Sequence, residues 1–403
     1  MSAFVGPIKD VCIGIYDGPH ATPKESSDGP VFLGIKNVTL EGRLDLTEIR
    51  HVSEQEFPLW TKRVIPRKDD IVFSYEATLH LYAIIPDGFR GCLGRRMALV
   101  RPDTAKVVPR FLHYYFLSPS WKAQMLANVM TGATVDRIPI ARFPTFEVRI
   151  PHLAEQQRIA DTLSAYDDLI ENNRRRIKLL EDAARLLYRE WFVHLRFPGH
   201  EHVKIVDGVP EGWERKVVPD LIAINPTERI ERGREVWYVP MAALSETGMT
   251  VDRGDFERRT VHTAVKFRAN DVLLARITPC LENGKTGLVC FLDEGDVACG
   301  STEFIVLRGT SVSPYFVYCL ARTYDFREHA IKSMIGSSGR QRVQAGCFDE
   351  YVVALPPSSV LREFDDSVAP MFQQIAVLDQ QNEKLRQARN LLLPRLMRGD
   401  LAV

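Results

Sequence analysis

Residues 153–192 read LAEQQRIADTLSAYDDLIENNRRRIKLLEDAARLLYREWF, and this stretch decides the fold. Apolar residues fall alternately four and three apart, at Ile159, Leu163, Tyr166, Ile170, Ile177, Leu180, Ala184, Leu187 and Trp191, with Asn173 in the one slot that breaks the series. A period of 3.5 marks a helix with a narrow apolar seam that packs on another helix. Adding 205 to each number gives Phe364, Val368, Met371, Ile375, Leu378, Asn382, Leu385, Arg389, Leu392 and Leu396. The seam recurs, with its Asn one slot later.

Two single-seam helices in one chain find their nearest apolar partner in each other. In an antiparallel pairing with matched ends the partners' residue numbers sum to 555, and Asn173 then meets Asn382 in one layer. A buried Asn pair lowers stability but fixes register, because any slip sets each amide against hydrocarbon. A parallel pairing would place Asn173 against Leu378 and Asn382 against Ile177, satisfying neither. Pro370 and Pro394 predict a kink and frayed turns in the second helix.

The duplication reaches beyond the helices. FLGIKNVTLEG (32–42) aligns with YVPMAALSETG (238–248), DIVFS (70–74) with DVLLA (271–275), and MALVR (97–101) with FIVLR (304–308). Pro109 and Pro314 each open an aromatic helix from the first-turn slot that proline tolerates. The offsets wander in loops and hold in elements. One unit is therefore written twice, each copy a mixed domain of short strands and one helix followed by a long helix. The β-branched and aromatic runs near Ile71 and Val272, bounded by Asp, Asn and Gly, supply the strands.

Composition sets limits on function. The 403 residues suit two or more domains, and no apolar run is long enough to span a bilayer. With no signal peptide at the N-terminus, and seven Cys in no paired spacing, the expectation is a reduced, cytoplasmic protein without contact to membrane. Cys280, Cys290 and Cys299 read as small apolar residues, and His194, His200 and His202 as a solvated connector, so no metal site is expected. Lys plus Arg and Asp plus Glu both number 52, without the basic excess of a stand-alone nucleic-acid binder. Nucleotide-binding, dinucleotide-binding, serine-hydrolase and zinc-protease motifs do not occur, and Asn225-Pro226 is followed by Thr227 rather than by the rest of an adenine methyltransferase motif. The chain reads as non-catalytic.

Several motifs now carry a resemblance: PHLAEQQRIA (151–160), LYREWF (187–192), RFPGHE (196–201), DGPHATP (17–23) and LLLPRLM (391–397). With two mixed domains alternating with two repeated helices, the chain resembles the specificity subunit of type I restriction-modification enzymes. PPSSV (356–360) departs from the pattern that opens the first helix. The resemblance implies an α+β fold in which two mixed α/β target-recognition domains, at 1–150 and 196–355, are separated by a long antiparallel coiled coil built from 151–195 and 356–403. A pseudo-twofold axis would relate the halves.

The resemblance also implies partners. Double-stranded DNA would be read as two half-sites, and two methyltransferase subunits using S-adenosylmethionine would dock on the chain. Restriction and translocation subunits using ATP and Mg would join them, while this chain holds no cofactor. A seam from 159 to 191 spans ~50 Å at about 1.5 Å per residue, roughly 14 base pairs. The competing readings are a coiled-coil adaptor and a stand-alone DNA-binding protein.

For base contact the expected groups are Arg with amides or hydroxyls on loops, since Arg reads guanine and Gln reads adenine bidentately. Thr134 and Arg137 in the first domain, and Ser338, Arg340, Gln341 and Arg342 in the second, fit this description. Arg95, Arg96, Lys62, Arg63, Arg258 and Arg259 are expected to position the duplex through phosphates.

Overall fold

The computed structural model describes residues 3–131, 135–260, 263–337 and 339–401. The chain divides into two compact units, one of Met1–Ile170 with Lys384–Val403 and the other of Glu171–Glu383. Each unit holds one mixed domain and a portion of both long helices.

In the first unit the strands Cys12–Asp17, Met97–Pro102, Ile71–Ser74 and Tyr82–Ile84 form one antiparallel sheet in that order. A second sheet sets Ser26–Leu33 between Arg50–His51 and Gly91–Leu93, with the Gly91 strand parallel and Phe32 opposite Cys92. Phe4–Pro7 pairs with Glu147–Ile150, so the domain's first and last strands lie side by side. The second unit repeats this plan. Ile222–Ile224, Phe304–Gly309, Val272–Ala275 and Thr286–Leu288 form the first sheet. In the second sheet Val236–Val239 lies between Glu257–Arg259 and the parallel Val297–Gly300, and Val265–Arg268 adds an edge strand. Glu214–Val217 pairs with Val352–Leu355 as the closing pair.

The same buried ion pair anchors both copies. Asp70, 1% exposed, takes Arg101 Nε at 2.8 Å and Nη2 at 2.7 Å, and accepts the Arg67 N–H. Asp271, fully buried, takes Arg308 at 2.6 and 2.7 Å and accepts the Arg268 N–H. These are the aligned positions of the sequence repeat. A two-point fork with a third donor satisfies each carboxylate, as burial of a charge requires.

Where one helix per domain was expected, each has a short helix, Phe57–Trp60 or Val218–Leu221, and then two longer ones in succession. Pro109–Leu117 is followed by Pro119–Ala127, and Pro314–Ala321 by Tyr324–Lys332. Ser118 ends one helix and caps the next, and Thr323 caps the corresponding helix of the second domain one residue after Arg322 ends its predecessor, their side-chain oxygens accepting the N–H of Trp121 and Phe326. Trp121, Phe143, Phe73 and Tyr82 fill the core behind the first pair, and the Trp121 indole donates to the Tyr82 hydroxyl at 2.8 Å.

The long helices are Leu153–Tyr188, which ends in a π-turn at Arg189–Val193, and Ser358–Arg398. Within the second unit, Asn173 Nδ2 donates to Asn382 Oδ1 at 3.0 Å, both side chains buried, and Trp191 packs on Phe364 with ring centroids 6.0 Å apart. Both pairs sum to 555, as the antiparallel reading requires. In the first unit Ile159, Leu163 and Leu396 share a core, and Arg389 forms an ion pair with Asp167, which also accepts from the Tyr114 hydroxyl. The frayed turns expected at Pro394 are not found, for the helix continues to Arg398. Leu396 in the core holds those turns in place.

The departure between the two helix starts has a structural counterpart. Gln156 ties the first helix to its domain by accepting the Val108 N–H at 2.7 Å and donating to Lys106 O. The second copy uses a Ser313 hydroxyl bond of 2.5 Å to Asp365 instead.

His113 makes the units respond differently to acid. Burial pushes its imidazole down to about 4, whereas the aligned position in the second unit is Tyr318. The fold therefore favours neutral His113, and its contribution is complete above about pH 6.5 and lost as pH falls towards 4. Moving from pH 7 to pH 5 is expected to cost the first unit about 2 kcal/mol that His113→Phe does not lose. Urea titrations of both proteins at the two pH values test this, and equal losses would refute it.

Candidate nucleic-acid interface

In both units a polar cluster forms where a central strand leaves its sheet. Strand Ile71–Ser74 exits at Tyr75, whose N–H donates to Arg96 O at 3.2 Å and whose carbonyl accepts from Ile138 N at 2.7 Å. Strand Val272–Ala275 exits at Arg276, whose N–H donates to Glu303 O at 2.9 Å and whose carbonyl accepts from Val343 N at 2.8 Å. The returning loops match as well. Arg137 exchanges backbone bonds with Met130, as Arg342 does with Ile335. The two clusters thus share one plan of main-chain hydrogen bonds, and the side chains distinguish them.

In the first unit the cluster lines a cavity of about 290 Å³ whose walls include Asp17, His20, Tyr75, Glu76 and Arg137. Gly18 makes the close passage beside it possible, because a Cβ there would lie 2.6 Å from Gly94 O. Asp17 pairs with Arg63 and lies 3.1 Å from His20, and Glu76 lies 3.2 Å from Arg96. Tyr75 is 5% exposed, and its hydroxyl has no hydrogen-bond partner among the described residues. Burial first, then Asp17 and Glu76, push its phenol up to about 12, so it remains a donor at neutral pH. In the second unit Arg342 grips Glu303 with Nη2 at 2.7 Å and Nε at 2.9 Å. Arg276 is partly buried, with Nε enclosed and unpartnered among the described residues.

The expected contact residues fall into distinct groups. Arg137, Arg340, Gln341 and Arg342 lie on the returning loops of the clusters, and Arg63 and Arg96 join the first through their carboxylate partners. Arg95, Arg137, Arg340 and Lys62 are exposed, with no side-chain hydrogen bond or ion pair among the described residues. Arg258 and Arg259 lie on the edge strand Glu257–Arg259, their guanidinium groups 3.7 and 3.3 Å from the ring centroids of Trp237 and Tyr238. Thr134 and Ser338 lie outside the described residues. Sequence reasoning missed Tyr75 and Arg276. The offset of 201 that aligns DIVFS with DVLLA pairs them one residue further on.

Among the described residues no three His, Cys, Asp or Glu side chains are grouped to hold a metal ion, and no helix is long and apolar enough to cross a membrane. All seven cysteines are free, and burial pushes the thiols of Cys12, Cys92 and Cys290 up to about 12.

Fold and clusters together define a duplicated two-domain scaffold with paired long helices. Comparison with known proteins names the class. Residues 19–182 match the family described as the type I restriction modification DNA specificity domain. The chain is 24% identical to the type I restriction enzyme MjaIX specificity subunit of Methanocaldococcus jannaschii, over 88% of this chain and 82% of that protein. It is 30% identical to the EcoEI specificity subunit of Escherichia coli, over 38% of this chain and 26% of that one. The crystal structure of a type I restriction-modification S subunit from M. genitalium has the same fold, with a TM-score of 0.53 and 15% identity over 98% of this chain and 96% of that one. This chain is thus similar to type I specificity subunits over most of its length.

Proposed function

We propose that this chain is the non-catalytic DNA-reading subunit of a type I restriction-modification complex, active in the cytoplasm. The observation that carries the reading is the duplicated cluster. Two clusters with one backbone plan around Arg137 and Arg342, but different side chains, suit two different half-sites on one duplex. Residues 1–150 and 196–355 act as the target-recognition domains. The helices of 151–195 and 356–403 set the spacer and dock two methyltransferase subunits. S-adenosylmethionine belongs to those subunits, and ATP with Mg to a restriction subunit that joins them. Exposed Arg95 and Lys62 attract the phosphate backbone and exposed Arg137 and Arg340 contact bases from the returning loops, so a neutral chain binds through local patches.

The test is co-expression with the methyltransferase, followed by methylome sequencing. A bipartite motif with an unread spacer is expected. Removing one heptad from both helices shortens the spine by ~10 Å, so the same half-sites are expected about three base pairs closer. A spacer of unchanged length would exclude the ruler role, and an adaptor would yield no motif at all.

A further inference from the structure

We infer that the aligned residues Tyr75 and Arg276 are base-reading positions, with Arg276 selecting guanine in one half-site and Tyr75 selecting an amino-bearing base, adenine or cytosine, in the other. This rests on the DNA-reading function proposed above and adds the chemistry by which the two domains differ.

The argument begins with unmet hydrogen-bonding capacity. A polar atom removed from water without a partner costs free energy until something supplies one. Tyr75 and Arg276 occupy the same backbone position in the repeat, held by the same two main-chain bonds. Each has a buried polar side-chain atom that no described group satisfies. Coincidence at one aligned site points to a common ligand.

The surroundings then set the polarity of that ligand. Beside Arg276, the nearby carboxylate of Glu303 is fully engaged by Arg342, and the residue aligned with Glu76 is Ile277. Arg276 therefore offers donors with no acceptor of its own. The guanine edge presents two acceptors, O6 and N7, spaced for a guanidinium fork. Beside Tyr75 the balance is reversed. Asp17 is shared between Arg63 and His20, but Glu76, held among the described residues by one 3.2 Å ion pair to Arg96, keeps an acceptor oxygen for the cavity wall, and the tyrosine hydroxyl both donates and accepts. An exocyclic amino group is attracted there, whereas the O6 of guanine or the O4 of thymine would face carboxylates. The two clusters differ in side chain and so read different edges.

The experiment uses the full chain co-expressed with its methyltransferase and compares methylomes of wild type, Tyr75→Phe and Arg276→Gln. Glutamine pairs bidentately with adenine, so Arg276→Gln is expected to move one guanine position to adenine while the other half-site stays intact. Tyr75→Phe keeps the ring and is expected to make one position of the other half-site degenerate, with discrimination falling at least about tenfold. Arg276→Lys keeps the charge but not the fork, and serves if the glutamine variant does not fold. It is expected to blur the guanine position alone. Motifs unchanged in the variants would overturn the inference. Weakening of all sequences alike would also overturn it, by making these residues phosphate contacts. A wild-type chain that gives no motif with its methyltransferase would instead overturn the functional reading on which the inference rests.

Discussion

Asp70→Ala is expected to lower the stability of the first unit by about 3–5 kcal/mol, because removing one member of a buried ion pair leaves the other charge without compensation. Among the described residues Arg101 would retain the Ile65 carbonyl at 3.0 Å and the face of the Tyr16 ring, and the Arg67 N–H would lose its acceptor. The aligned substitution Asp271→Ala is expected to cost the second unit less. Arg308 keeps a second carboxylate there, Glu228 Oε1, at 2.6 Å. Chemical denaturation followed through Trp60 and Trp121 for one unit, and Trp213 and Trp237 for the other, measures both losses. If Asp271→Ala proves as costly as Asp70→Ala, Glu228 gives no compensation and this account of the pair fails.

The Asn layer predicts an opposite relation between single and double substitutions. Asn173→Leu leaves the buried Asn382 amide against hydrocarbon and is expected to cost about 1–3 kcal/mol, as is Asn382→Leu. The double variant removes both polar groups and is expected to recover that loss or exceed wild type, because two leucines pack without a desolvation cost. Register then has no polar determinant, and slipped pairings become accessible. A thermodynamic cycle over the three variants reads the coupling. Simple additivity would mean that the two amides do not depend on each other.

Much of this architecture is legible in the sequence for a definite reason. A strict 3.5 period carries both the helix and the face it buries, so matching Asn173 with Asn382 fixes direction and register without coordinates. The repeat is legible because offsets stay constant within elements, which also predicts that Asp70 and Asp271 hold the same place. The pairing of Ser26–Leu33 with Gly91–Leu93 is not legible, since a parallel contact between segments some 60 residues apart leaves no local signature. The last helix of each domain was missed because Ser118-Pro119 resembles a loop until the serine is seen capping the next turn. At the candidate interface, cations on loops are visible in sequence but their engagement is not. Arg342 looks like Arg340 until Glu303 is found holding it. Tyr75 and Arg276 escape notice because an unsatisfied polar atom is a property of surroundings, which a string of letters does not display.

The side-by-side pairing of Phe4–Pro7 with Glu147–Ile150, and of Glu214–Val217 with Val352–Leu355, has a consequence for heredity. Each mixed domain is entered and left through neighbouring strands, so the polypeptide crosses its border at a single doorway. A gene segment encoding a foreign domain of the same fold could be spliced in there while the paired helices keep their seam. Recombination at two points could thus give a lineage a new target while leaving its assembly machinery unaltered.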